Sequence, residues 1–392
     1  MSIGFDAEAT IGRILMLLGN GYDPDPRVRA EALALSRAGL RVSVLAWDRD
    51  GASRPEEEME GVSVTRIGPR STHGRGRGQS GYLLRFWARA VRTISRQRFD
   101  ILWCHDLDML PVGVLLGGVR SRPVVFDAHE SYPDMVAGSV GPGWTAALRW
   151  LERHLARRVS AVVTVGERLA AKFRGMGARR TVVAGNWKDP AEYRVVSGSR
   201  AAARKRYGVP LEAWLVTSIG FLGAERKLAE LIAAVEGLPD AHVLIGGRGP
   251  LEEACRSAAG PGGRVHFAGW VPPAEVPALT AAGDAVFYGF DPASGNARYS
   301  APNKLFEALA AGLPVITGPF GEIEEVVRAY GCGVVIPDYR PASIRDGLSR
   351  ARGGTSFSAG CRRAAERYCR ARADEAVRTL AASLLGAAGA PA

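Results

Sequence analysis

Two short segments in the second half of the chain carry side chains suited to holding a diphosphate. In Ser300-Ala-Pro-Asn-Lys-Leu-Phe-Glu307, a loop runs into the helix pattern that ends at Gly312. Pro302 suits the first turn of a helix. The amides of Asn303, Lys304 and Leu305 then point out of the helix N-terminus, where an anion is favoured. Glu307, about one turn further in, is placed to accept hydrogen bonds from both hydroxyls of a ribose. On a purely structural reading, Lys304 and Glu307 are the solvated face of an amphipathic helix. The second segment, Ser218-Ile-Gly-Phe-Leu-Gly-Ala-Glu-Arg-Lys227, passes from a strand through a loop containing Gly220 to two adjacent cations at a helix start. Cations oppose the helix dipole there. An anionic ligand resolves that conflict through charge-assisted bonds to Arg226 and Lys227.

The elements around these segments alternate short apolar runs with amphipathic helical stretches, the pattern of parallel βαβ units. In the first half, strands are expected at Arg13–Leu18, Arg41–Trp47, Val62–Ile67, Ile101–Cys104, Val124–Asp127 and Ala161–Val165, with a helix over Pro26–Ala38. In the second half they are expected at Leu215–Ile219, His242–Ile245, Arg264–Ala268, Ala285–Tyr288, Val315–Thr317 and Gly333–Ile336. The fold class is α/β, with two Rossmann-like, doubly wound parallel-sheet domains. Such sheets bind ligands beyond the carboxyl ends of their strands, so the domains are expected to face a central cleft. The expected division is 1–190, 191–361, and a helical segment 362–392 that could pack on either domain. Ser71–Gln79, rich in Gly, Arg and Ser, reads as a mobile loop.

These segments, in this order and spacing, resemble the retaining glycosyltransferases of family 4, with the GT-B fold. Further landmarks are Asp25-Pro-Arg-Val-Arg29 with Glu31-Ala32, Phe99-Asp-Ile-Leu-Trp-Cys-His-Asp106, Val125-Phe-Asp-Ala-His-Glu130, Gly246-Gly-Arg-Gly-Pro250, Phe267-Ala-Gly-Trp-Val271 and Ala282-Gly-Asp284. The resemblance implies that Arg226 and Lys227 bind the donor diphosphate and stabilise the leaving nucleotide, and that Glu307 binds the ribose. It implies that backbone around Trp270 and Val271 lines the base pocket, that His129 lies near the donor sugar, and that the last helix crosses back to the N-terminal domain. Gly21 is expected to let its loop approach the phosphates closely. His105, Asp106 and Glu130 are assigned to the acceptor side, with a structural role as the alternative for His105 and Asp106. One departure stands out: the first carboxylate of the family's Glu-x7-Glu motif is replaced by Tyr299. Tyr299, Asn296 or Arg298 is then left to contact the sugar.

The implied function is metal-independent transfer of a sugar from a nucleotide-sugar donor, UDP- or GDP-linked, to a hydroxyl of a glycan, a lipid-linked acceptor or a small molecule. No cofactor is implied. The rivals are a sugar-nucleotide epimerase of the same fold, an inactive GT-B binding subunit, and a dehydrogenase. The last is suggested by Gly19-Asn-Gly21 and Asp48, but Pro24 stands where its fingerprint needs a third glycine. The 392 residues carry a net charge of +11, which favours acidic partners. Nucleic acid is not among the expected partners, because the arginines are dispersed and no aromatic–basic motif occurs. The five scattered cysteines read as free thiols. With no signal peptide or spanning segment recognised, the expected location is cytoplasmic, with possible contact at the inner membrane face. Residues 82–98 form a basic amphipathic pattern, with Leu83, Phe86, Trp87, Ala90, Val91 and Ile94 on one side. This face either rests on an anionic bilayer or packs on the sheet. Leu148–Arg158 is a second basic stretch.

Overall fold

A computed structural model of the chain describes residues 12–23, 25–71, 79–194, 199–260, 262–354 and 357–388. Residues 1–11, and residues 72–78 of the expected mobile loop, lie outside the described residues. The chain forms two compact units. The first comprises Met1–Ala184 with Asp374–Ala392, and the second Gly185–Ala373.

The first unit holds β1 (Arg13–Leu18), β2 (Arg41–Trp47), β3 (Glu56–Met59), β4 (Val62–Ile67), β5 (Ile101–His105), β6 (Val124–Ala128), β7 (Ala161–Thr164) and β8 (Thr181–Val183). They form one sheet in the order β3-β4-β2-β1-β5-β6-β7-β8. β1, β5, β6 and β7 are apolar almost throughout and buried, because helices cover both faces of a parallel sheet. The exception is β3, Glu-Glu-Glu-Met, which pairs antiparallel with β4 at the sheet edge. An acidic run has little strand propensity, and the sequence pattern does not reveal it. On an edge, charge blunts further pairing, and Glu57 forms an ion pair with Arg66.

The strand order reverses between β1, which pairs with β2 on one side, and β5 on the other. That switch point opens a crevice at the carboxyl ends of the two strands. The residues there are Gly19–Tyr22 and His105–Asp108. The helix Pro26–Arg37 begins beside it, with Asp25 capping through a 3.0 Å bond from the Val28 amide and proline in the first turn.

The second unit repeats the plan with β9 (Trp214–Ile219), β10 (Ala241–Gly246), β11 (Val265–Phe267), β12 (Ala285–Tyr288), β13 (Val315–Thr317) and β14 (Gly333–Val335), ordered β11-β10-β9-β12-β13-β14 and all parallel. Its switch point lies between β9 and β12. The loops after β9 and β10 pack backbone on backbone: a Cβ on Gly247 (φ +141°) would stand 1.7 Å from the Gly220 carbonyl oxygen.

The unit boundaries differ from the expected ones. Residues 185–190 belong to the second unit, because Trp187 packs edge-on against Tyr368 at 5.6 Å and Lys188 bridges to Cys369. The terminal segment divides as well. The helix Phe357–Arg367 stays with the second unit, whereas the chain from Asp374 joins the first, where Leu385 lies against Gly12 and Arg180 bonds Ser383.

The helix expected over 82–98 spans Gln79–Ile94. Its Phe86, Ala90 and Ile94 are buried, and Phe86 stacks on Trp47 at 5.0 Å. The apolar face therefore packs within the unit and is not offered to a bilayer.

The backbone contact at Gly247 is testable. Gly247→Ala should destabilise the second unit by about 1–3 kcal/mol and lower its unfolding temperature by several degrees. Gly353→Ala, with nothing within 4 Å of the added Cβ, should leave it nearly unchanged. Differential scanning calorimetry of both variants decides this.

Candidate active site

In the second unit, a cavity of about 300 Å³ opens at the β9/β12 switch point. Its walls come from the loop after β9 (Gly220, Phe221, Leu222), the end of β12 (Tyr288, Gly289), Arg226, and the start of the helix Asn303–Ala311 (Pro302, Asn303, Lys304, Glu307). That helix has no side-chain cap at its N-terminus, so the amides of Asn303 and Lys304 remain available to a ligand, while that of Leu305 donates to the Pro302 carbonyl at 3.1 Å. Three cations gather here. Arg226 lies 5.0 Å from the Tyr288 ring and 4.9 Å from the Phe290 ring, and it bonds the Tyr288 hydroxyl. Lys304 pairs with the buried Glu307. Lys188 donates to Asn303 Oδ1 at 2.9 Å, and burial lowers its pKa, with Lys304 and Arg370 adding to the effect against Glu307.

The Arg226 Nε is buried and makes no hydrogen bond among the described residues; Glu225, the paired carboxylate, stands 3.5 Å away. A sealed charged donor without an acceptor is costly. Glu225 answers the sealed Nε in part, and the rest of the guanidinium, on a side chain 23% exposed, is what lines the cavity and is placed to meet an anion. Lys227 takes a left-handed conformation (φ 57°) between a short 3-10 turn and the helix Leu228–Glu236, with its Nζ 3.6 Å from Asp291. It is not part of the cavity lining, and neither are Trp270, Val271 and Tyr299. Val271 belongs to a buried apolar cluster with Ile219 and Leu244, and Trp270 lies half exposed beneath Arg248.

In the first unit, the β1/β5 switch point is built around a buried carboxylate. Asp127, at the end of β6, has no exposed surface. Arg27 grips it through Nε–Oδ2 (3.1 Å) and Nη2–Oδ1 (2.6 Å). His105 Nδ1 and His129 Nε2 each approach Oδ2 at 3.0 Å. His129 Nδ1 also lies 3.3 Å from Asp106 Oδ2.

Burial opposes the charge on His129, but Asp106 and Asp127 outweigh it and raise its pKa to about 10. The ring is therefore protonated at neutral pH, donating from both nitrogens. Asp127 is held well below the usual carboxylate range: burial resists its charge, and Arg27 and His129 overcome that resistance. Burial, aided by Asp127, raises Glu31, which is paired with Arg27 at 3.0 Å. Burial and Asp106 together raise Asp108 to about 7.

The facing atoms of His105, Asp127 and His129 lie close enough together to meet one ion. Asp127 already carries the Arg27 guanidinium, however, and a divalent cation would have to stand beside that fixed positive charge. The donor set fits a hydrogen-bond network better than a metal centre.

The acceptor-side assignments separate on this geometry. His105 is fully buried and offers no surface to an acceptor; it orients Asp127. The His129 side chain, 20% exposed, and that of Asp106, 39% exposed, face outward. Asp106 sits at φ 63°, a strained turn between β5 and its helix. Glu130 follows His129 at the same strand end. Gly21 gives its carbonyl to Arg66 Nε at 2.8 Å, and the left-handed position in that loop is Tyr22 (φ 73°). Arg27 and Glu31 were legible only as landmarks of the first helix. Nothing local indicates that Arg27 neutralises a carboxylate 100 residues away, or that Glu31 shares the same guanidinium.

Comparison with known proteins bears on both units. Residues 24–187 match a family model described as glycosyl transferase 4-like domain, and residues 216–351 match one described as glycosyl transferases group 1. The chain is similar to the 2-deoxystreptamine glucosyltransferase of Streptomyces kanamyceticus, 29% identical over 324 residues, covering 75% of this chain and 80% of that one. It is also similar to the phosphatidyl-myo-inositol mannosyltransferase of Mycolicibacterium smegmatis, 26% identical over 353 residues, covering 83% and 81%. Among solved structures, sucrose-phosphate synthase from Thermosynechococcus elongatus aligns with a TM-score of 0.79 at 16% identity, covering 96% of this chain and all of that one.

The charge on His129 is measurable. Its pKa is raised on folding, so its contribution to stability is complete below the ordinary histidine value of about 6.5 and disappears as pH rises through about 10. Asp106→Asn should move the His129 imidazole titration, followed by NMR, clearly downward. An unchanged titration would mean that Asp106 does not set it.

Proposed function

Because the chain belongs to the group 1 glycosyltransferases and has their GT-B fold, we propose that it moves a sugar from a nucleotide-sugar donor to an acceptor hydroxyl. We propose further that it retains anomeric configuration and needs no metal. The observation that carries the donor assignment is that Arg226 and Lys304 line one cavity at a helix N-terminus without a side-chain cap. A diphosphate answers both. Glu307, one turn along the same helix, is assigned to the ribose.

In this reading, the acceptor oxygen attacks the anomeric carbon from the face that the diphosphate leaves. The bond from that carbon to the phosphate oxygen breaks, its electron pair stays on the diphosphate, and the hydroxyl proton passes to it. Arg226 and the first amides of the helix Asn303–Ala311 stabilise the charge as it develops, with Lys227 nearby. These fixed charges take the part that a metal would otherwise play. His129, protonated with both N–H groups held by Asp106 and Asp127, lends the reacting centre its positive charge and is not a base. The loop after β12 carries a carboxylate, Asp291, whose Oδ2 lies 3.6 Å from Lys227 Nζ. We assign it to a sugar hydroxyl.

The two relatives are named for 2-deoxystreptamine and phosphatidyl-myo-inositol. A small-molecule or lipid-linked acceptor suits the chain on that ground, at the cytoplasmic face of an anionic membrane for the latter. No helix among the described residues is long and apolar enough to cross a membrane.

A thermal-shift and calorimetric screen against UDP-, GDP-, ADP- and dTDP-sugars, with NAD and NADP as controls, tests the donor reading. One nucleotide-sugar should stabilise the protein. Arg226→Ala should weaken that binding roughly tenfold to a hundredfold through loss of charge-assisted hydrogen bonds, and Glu307→Ala should weaken it too. Asp291→Asn should lower the rate of sugar transfer without weakening binding of the free nucleoside diphosphate, since it removes a competing charge beside Lys227. Stabilisation by NAD alone overturns the assignment. Release of an altered sugar without an acceptor indicates epimerisation, and binding without turnover on a broad acceptor panel indicates an inactive subunit.

A further inference from the structure

Three helices of the first unit, Gln79–Ile94, Asp106–Arg120 and Pro142–Ala156, pack side by side in that order. They connect successive strands by crossovers to the same side of the sheet. Their inner faces are buried, but their outer faces are not polar. Leu84 is 60% exposed, Leu115 57%, Val119 75%, Trp144 66% and Trp150 63%. Monomeric proteins rarely leave so many large apolar groups outward on adjoining elements.

On Pro142–Ala156, exposed Trp144 and Trp150 stand on either side of exposed Ala147, their backbone positions about 9 Å apart along the axis and about 120° apart around it. The Trp150 ring stacks on His154 at 4.8 Å. Exposed Arg153, one turn after Trp150, and Arg157, just past the helix end, lie on the Trp150 side, and exposed Arg85, Arg89 and Arg92 stand on Gln79–Ile94. Acidic residues are nearly excluded. Gln79–Ile94 has none, and the Glu152 of Pro142–Ala156 is buried and bonded to Lys172 at 2.7 Å. Those of Asp106–Arg120 are confined to its first turn.

We propose that this outer face docks on an anionic lipid bilayer, with the indoles of Trp144 and Trp150 at the headgroup level and the arginines against anionic headgroups. The inference rests on the reading of a membrane-linked acceptor and names the surface that serves it. Indoles at the interface with arginines around them match the division of a membrane surface into apolar boundary and anionic heads. A second copy of the chain fits less well, because a two-fold contact would bring the same arginines face to face. The surface also differs from the one that sequence periodicity suggests. Phe86, Ala90 and Ile94 are committed to the core, and what remains outward is carried mainly by the two tryptophans.

The test is sedimentation of the full chain with phosphatidylcholine vesicles, with and without about one-third phosphatidylglycerol, at rising salt. Binding is expected only to the anionic vesicles, weakening with salt, with a blue shift of tryptophan emission. The double variant Trp144→Ser, Trp150→Ser should bind about tenfold more weakly. Its melting temperature and its response to nucleotide-sugars should match those of the parent, since both residues are exposed and far in sequence from the donor cavity. Equal binding by variant and parent, equal binding to neutral vesicles, or no vesicle binding overturns the proposal. A parent that is dimeric in sedimentation velocity and becomes monomeric in the double variant also overturns it, assigning the face to self-association. Because nucleotide-sugar binding is read on the same samples, failure at the membrane is distinguishable from failure of the transferase reading.

Discussion

A charged carboxylate sealed from water needs hydrogen-bond donors and positive charge close by, and Asp127 sets that requirement for the first unit. An unpaired buried charge costs several kcal/mol, and losing one partner of a buried pair is strongly destabilising. The partners come from three elements: Arg27 from the helix after β1, His105 from the end of β5, and His129 from just beyond β6. Arg27 also donates to the Ala184 carbonyl at 2.7 Å, where the first unit ends. One buried charge thus ties the first helix, two strand ends and the unit boundary to one point. It also helps to fix the protonation of His129, the outward member of the cluster.

The second unit handles charge in the opposite way. Its switch point is shaped by backbone, since the loops after β9 and β10 approach too closely for any Cβ at Gly247. Arg226 lies 5.0 and 4.9 Å from the Tyr288 and Phe290 rings, and its Nε faces Glu225 at 3.5 Å. Lys188 stays near Asn303 although burial and neighbouring cations disfavour its charge. The first unit gathers Arg27 and His129 around one buried carboxylate, and the second places Arg226, Lys304 and a helix N-terminus around an open cavity. A site preorganised for an anion has this character, because its donors need no rearrangement when negative charge develops.

The fold was legible wherever burial on both faces leaves an apolar run: β1, β2, β5, β6 and β9 stand within a residue or so of where periodicity puts them. It was illegible where pairing rather than composition makes a strand. The acidic β3 is held by its neighbour β4, and the short β8 by its pairing with β7. In the site, Gly220, Arg226, Lys304 and Glu307 were legible, because a loop opening onto a helix N-terminus is a local pattern. Lys188 was not, since it meets Asn303 across 115 residues. His105 has a polar side chain that reads as available, yet it is enclosed.

Sequence by itself determined the alternation of strand and helix, the α/β class, the glycines at strand ends and the cations before the second unit's helices. All of these follow from short-range sterics, periodicity and charge. Tertiary structure alone decided which of the many arginines neutralises Asp127, which face of Gln79–Ile94 is spent on the core, and where the chain passes from one unit to the other. Those outcomes depend on contacts between residues far apart in the chain. Local preference cannot rank them, because the free energy of burying a charge or an apolar face depends on what the rest of the fold brings against it.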